Sequence, residues 1–210
     1  MSALTLHAHE VRRLLSHGSV LLVRPVKPQP DDDWMMFATK TWGTDNTMPI
    51  RGDREIRCPL GAPGTEHWVR ETWAACLHPE DPVQPGMAMC VEDGKVVGPP
   101  RWHPDLPREM RREMFRQWTI RSPVTMPRWA SRCDVTVRDV RMVRVGDLSE
   151  DDMRMTMDKP LWYTEVGGKK HYWPIDFSVK TTWNYRYRKQ PEYAWPGAWA
   201  WAVTVARTPD

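Results

Sequence analysis

The sequence predicts an α+β fold in which a mostly antiparallel, closed sheet carries a few short helices. Three observations predict it. Several alternating or valine-rich runs stand well apart, the helical patterns are few and short, and strands do not alternate regularly with helices, which argues against a Rossmann or TIM architecture. The composition agrees. Of 210 residues, 40% are hydrophobic and 27% charged, enough for a substantial core. Twenty prolines against twelve glycines argue against a glycine-rich phosphate loop and against long helices throughout.

The elements follow in order. Val11, Leu14 and Leu15 fall at helical spacing within Ala8–His17, and Gly18 stands where a C-terminal cap belongs. Val20–Val26 reads as a strand closed by Pro25 and Pro28. Residues 31–64 are turn-rich. A second strand is expected over Glu66–Ala74, with Trp68, Arg70 and Thr72 on one face and Val69, Glu71 and Trp73 on the other. Asp93-Gly94 suggests a hairpin between Met87–Val91 and Lys95–Val97. Pro107 in a first turn suggests a helix from near Asp105 to Trp118. Arg132–Leu148 reads as a strand region whose phase breaks near Arg138–Arg141. Ser149-Glu150-Asp151-Asp152 has the pattern of a capped helix start. A helix or irregular segment is expected over Phe177–Arg188. The last strand sets Trp199, Trp201, Val203 and Val205 against Ala200, Ala202, Thr204 and Ala206.

A formal charge of +3 excludes a histone-like polyelectrolyte and leaves room for a local basic patch. No apolar run approaches membrane-spanning length, and the first residues lack the apolar stretch of a secretory signal, so a cytoplasmic protein with free thiols is expected. Cys58, His67, Cys76 and His78 are spaced nine, nine and two positions apart, which matches no zinc module. No metal and no cofactor is expected.

Several strings, taken in order, resemble a known group. They are Val26-Lys27-Pro28-Gln29-Pro30, Cys58-Pro59-Leu60-Gly61-Ala62-Pro63-Gly64, Trp68-Val69-Arg70-Glu71-Thr72-Trp73-Ala74, Met126-Pro127-Arg128-Trp129-Ala130-Ser131-Arg132, Asp147-Leu148-Ser149-Glu150-Asp151-Asp152 and the terminal Trp199-Ala200-Trp201. Together they are similar to phage and prophage proteins of the ASCH superfamily. The likeness runs from near residue 8 to the C-terminus, as one domain over residues 1–210 with divergent insertions at about 31–57 and 77–121. It implies a PUA-like fold, a small twisted β-barrel flanked by helices. It also implies a cleft for a nucleobase or a nucleic-acid strand, in the host cytoplasm if the chain is phage-encoded.

Some members of that superfamily hydrolyse N4-acetylcytidine with a lysine, a threonine and a glutamate. Aligned here, the lysine position holds Ser19, or Val20 with a one-residue shift. The threonine position holds Leu22, and the glutamate falls near Thr156. Valine, leucine and threonine supply no group that titrates near neutral pH, so the resemblance implies binding without that hydrolysis. Arg24 alone is kept from the string, and it suits anion or base contact.

The residues themselves suggest a binding face. Arg70, Arg128 and Arg132 lie close in sequence to Trp68, Trp73 and Trp129, Arg24 and Lys27 are grouped with them, and guanidinium or aromatic planes beside cations are what base stacking and phosphate contact require. Core placement is expected for Trp73, Trp199 and Trp201, and a groove position for Trp129. Glu71 is the candidate acid/base or base-edge acceptor, against the simpler alternative of an ion pair with a neighbouring arginine. Arg186, Arg188 and Lys189, interleaved with Tyr185 and Tyr187, form a second basic–aromatic run. The primary expectation is a protein that binds nucleic acid, RNA by preference, or a nucleotide or modified base. Two others stand beside it: a hydrolase of RNA or a modified nucleoside working through Glu71, and an adaptor whose tryptophans and methionines anchor a host protein.

Overall fold

The computed structural model describes residues 1–30, 47–49, 55–78, 81–90, 96–97, 119–157, 160, 163–166 and 168–208. Its elements are β1 (Ser2–Thr5), α1 (Ala8–His17), β2 (Ser19–Pro25), β3 (Thr47–Pro49), β4 (Glu55–Arg57), β5 (Glu66–Arg70), β6 (Trp73–His78), β7 (Asp81–Cys90), β8 (Val96–Val97), β9 (Thr119–Arg121), β10 (Asp134–Arg144), α2 (Glu150–Thr156), β11 (Tyr163–Val166), β12 (Lys169–Tyr172), α3 (Ile175–Tyr187) and β13 (Trp199–Arg207). The fold is α+β. Its largest sheet is mixed, with strand order β1–β5–β10–β13–β2. Among the described residues that order is open, ending at β1 and β2. The chain divides into two compact units, residues 1–11 with 66–135, and residues 12–65 with 136–210.

In the first unit, β1 and β5 pair in parallel, and the Ser2 hydroxyl meets His67 Nδ1 at 2.8 Å. A four-stranded sheet, β8–β7–β6–β9, follows. The expected strand over Glu66–Ala74 is two strands, β5 and β6, parted at Glu71–Thr72. The predicted alternation survives the break: His67, Val69, Glu71 and Trp73 are buried, while Trp68, Arg70 and Thr72 are not. The break is stabilised by side chains. The Glu71 N–H points at Met126 Sδ (3.4 Å), and its carboxylate is held by Arg132. The expected hairpin forms as β7 against β8, with Met89 opposite Val96, and its turn lies outside the described residues. So does the helix expected over residues 105–118.

In the second unit, β13 pairs antiparallel with β2. Ala200, Trp201, Ala202 and Val203 are all buried, so this strand is covered on both faces. Leu21, Val23, Val145, Leu148, Trp183, Tyr193, Ala198, Ala200 and Ala202 form the core on one side. Beyond Pro25 the prolines at 28 and 30 cannot donate to a ladder. The Gln29 amide substitutes for backbone there. It donates to the carbonyls of Val26 (2.7 Å) and Trp199 (2.9 Å) and accepts from the Trp199 N–H (2.7 Å). Burial along β10 changes phase across the two exposed residues Arg138 and Asp139, where the sequence places a break, and the strand continues through it. The segment expected over Phe177–Arg188 is helical: Phe177–Tyr187 lies within α3 and Arg188 is its C-cap.

The Ser149 capping box is complete. Its hydroxyl accepts from the Asp152 N–H, and the Asp152 carboxylate accepts from the Ser149 N–H. Arg141 also donates to Asp152. Burial works to raise the Asp152 pKa, but the hydrogen bonds from Arg141 and Ser149 outweigh it and hold the carboxyl below its usual range. The unfolded chain therefore binds this proton more tightly. Its stabilising contribution is full above the ordinary aspartate pKa of about 3.9 and is lost as pH falls below about 4. Denaturant melts at pH 7, 5, 4 and 3 are expected to show a shallower acid loss for Asp152→Asn than for the native protein. Equal slopes would remove Asp152 from the acid response.

Candidate nucleic-acid interface

The interface begins with the β5 alternation, which leaves Trp68 and Arg70 on the less buried face. The Arg70 guanidinium sits 4.8 Å from the Trp68 ring centre and donates to the Val124 carbonyl at 3.2 Å. Its Nε is buried without a hydrogen-bond partner. A second guanidinium, that of Arg128, approaches the same ring at 5.8 Å. It is delivered by a 3₁₀ turn, Arg128–Ala130, that follows Pro127. Ala130, fully buried against Trp73 and Met126, anchors that turn from beneath. Its two larger neighbours then face outward: Arg128 has half its side chain exposed, and Trp129 is 38% exposed. Arg121 lies 5.9 Å from the Trp73 ring, whose indole N–H reaches the Ser122 carbonyl and the Thr125 hydroxyl, both at 3.3 Å.

The structure thus brings Trp68, Arg70 and Arg128 together and sets Trp129 on the same turn as Arg128. Glu71 and Arg132 are placed differently. They form a two-point pair, both contacts at 2.7 Å, with side-chain exposures of 3% and 6%. The ion-pair alternative for Glu71 is the one realised. A carboxylate held at both oxygens by a guanidinium and almost fully enclosed is out of a substrate's reach, and a buried guanidinium offers no edge to a phosphate. Arg24 and Lys27 belong to the second unit. Arg24 stands opposite Trp201 in the β2–β13 ladder, and the Lys27 ammonium lies 5.7 Å from the Tyr193 ring. Trp73 and Trp201 are core residues as expected, whereas Trp199 is only partly buried and carries Arg144 at 4.6 Å from its ring.

Sequence reasoning missed Asp134. Its carboxylate holds Arg128 at 2.6 Å, and nothing in the local string marks a partner six positions away across a turn. A phosphate would compete with that carboxylate for Arg128. Exposed pairs contribute about 0.2–1 kcal/mol, so Asp134→Asn is expected to tighten oligonucleotide binding by roughly 1.4- to 5-fold. Weaker binding by titration would exclude a phosphate role for Arg128.

Other sites speak to hydrolysis. Val20 and Leu22 are fully buried in β2, and the buried Thr156 donates its hydroxyl to the Met153 carbonyl. A cleft of about 590 Å³ in the second unit is lined by Arg13, His17, Glu150, Arg154, Met157 and Ile175, among others. Among its described lining residues the one carboxylate, Glu150, is bound by Arg154 at 2.5 Å. Cys58 and Cys133 are buried and form no disulfide, and burial raises the Cys58 pKa despite the backbone N–H groups of Leu60 and Gly61, leaving it a poor nucleophile. No helix among the described residues is long and apolar enough to cross a membrane. Comparison with protein families, with curated proteins and with solved structures gives no match.

Proposed function

We propose that the surface formed by Trp68, Arg70, Arg128 and Trp129 binds nucleic acid, single-stranded RNA by preference, without hydrolysing it. The observation that carries this reading is the convergence of two guanidinium groups on one tryptophan ring, one of them delivered by a turn that also exposes Trp129. Guanidinium planes and an exposed indole accept a stacked base, and Arg128 meets the phosphate. The absence of hydrolysis is supported by the side chains at positions 20, 22 and 156 and by the clamped Glu71. A divergent ASCH membership with a PUA-like barrel, a phage origin and a host-cytoplasm setting remain part of the proposal, carried by the strings of the sequence.

The test is binding of fluorescent single- and double-stranded RNA and DNA across a salt series. The logarithm of affinity is expected to fall linearly with the logarithm of salt concentration, and Arg128→Ala is expected to reduce that slope by roughly 0.7 for a single strand. No binding by any of the four probes at low salt would overturn the reading.

A further inference from the structure

The second unit carries a different surface of related chemistry. β11 and β12 pair antiparallel with Tyr163 opposite Tyr172, and every described residue of both strands is exposed. A two-stranded ribbon with neither face covered is marginal in water unless something supports it. This ribbon runs directly into an aromatic step. Trp173 stacks on Phe177, the ring centres 4.8 Å apart, yet the two remain 41% and 40% exposed. Tyr163 and Tyr172 are 43% and 51% exposed, their rings 5.7 Å apart. Two exposed aromatic pairs, joined in the chain at Tyr172-Trp173, exceed what isolated surface residues require.

Charge identifies the occupant. Between residues 163 and 189 lie Lys169, Lys170, Lys180, Arg186, Arg188 and Lys189 against only Glu165 and Asp176, a balance of +4 in a chain whose total is +3. The rest of the protein is therefore slightly acidic, and the excess positive charge is concentrated here. It is also ordered along the helix. Phe177, Lys180, Asn184 and Arg188 recur at helical spacing and are all exposed, so the aromatic step continues into a polar, cationic stripe of α3. The cations already lie over rings: the Lys170 ammonium is 4.4 Å from Tyr163, and the Arg188 guanidinium 4.3 Å from Tyr185. An apolar protein ligand would match the rings and leave these cations unanswered. A single nucleic-acid strand matches both, with bases on the aromatics and phosphates on the cations.

We infer that the β11–β12 ribbon and the exposed stripe of α3 form a stacking platform for single-stranded nucleic acid, separate from the Trp68–Arg128 surface and not dependent on it. The test uses the full chain with U12 and dT12 oligonucleotides, fluorescein-labelled for titration and thio-substituted for photocrosslinking with peptide mapping. Crosslinks within residues 163–189, reduced roughly 10-fold or more in Trp173→Ala/Phe177→Ala, are expected. Binding by either sugar supports the platform, and a preference for U12 over dT12 would specify RNA. Crosslinks confined to residues 66–70 and 119–134 would overturn the platform and leave the first surface standing, whereas no binding by either probe would overturn the platform and the single-stranded preference of the first surface. Unchanged crosslinking within residues 163–189 in the double variant, with its melting temperature intact, would also overturn the platform. So would a concentration-dependent dimer that the same variant abolishes in the absence of any oligonucleotide affinity, since that assigns the patch to a second copy of the chain.

Discussion

Replacing Glu71 with Gln is expected to destabilise the fold by roughly 3–5 kcal/mol. The carboxylate and Arg132 are both almost fully buried and share two 2.7 Å contacts. Glutamine keeps the shape but removes the charge. The Arg132 guanidinium is then left desolvated, and that cost exceeds the strength of the pair itself. For a chain of this size the loss corresponds to a melting temperature lower by roughly 6–20 °C. Replacing both partners with apolar residues of similar volume is expected to recover most of it, because no buried charge remains. Paired thermal and denaturant melts of the single and double variants check this. A Glu71→Gln protein within about 1 kcal/mol of the native one would mean that water reaches the pair. If that protein also lost a hydrolytic turnover shown by the native chain, Glu71 would return as an acid/base.

Trp129→Ala is expected to weaken single-stranded RNA binding by roughly 5- to 150-fold, the equivalent of 1–3 kcal/mol for one stacked base. The melting temperature is expected to move little, since Trp129 is 38% exposed and Ala130 rather than Trp129 anchors the turn. The salt slope should stay unchanged, because stacking releases no counterion. That combination separates it from Arg128→Ala, which changes the slope. A Trp129→Ala protein with native affinity would remove the indole from the interface.

Much of the architecture was legible because it is local. Val11 and Leu14 at helical spacing before Gly18 account for α1, and the capping box follows from hydroxyl and carboxylate three positions apart. The alternation that set Val69, Glu71 and Trp73 on one face holds even though the strand is cut in two, and the structure buries that face. The cut itself was not legible. It depends on Met126 and Arg132, more than fifty positions away, which satisfy the backbone and carboxylate of Glu71. Sheet order was equally hidden. Alternation says which side chains share a face but not which strand lies beside which, so the parallel β1–β5 pair could not be read from either segment.

The same division holds for the candidate sites. The sequence by itself determined that tryptophans and arginines cluster, that Glu71 and Arg70 point to opposite faces, and that charge concentrates late in the chain. Residue type and two-residue or helical periodicity suffice for that. Only the tertiary structure decided which members of the cluster are usable. It turned Arg128 and Trp129 outward on a turn pinned by Ala130, tied Arg128 to Asp134, and enclosed Arg132 with Glu71. Desolvation is the reason: a charge keeps its binding capacity only where water or a ligand can reach it, and that depends on neighbours the chain brings in from far away.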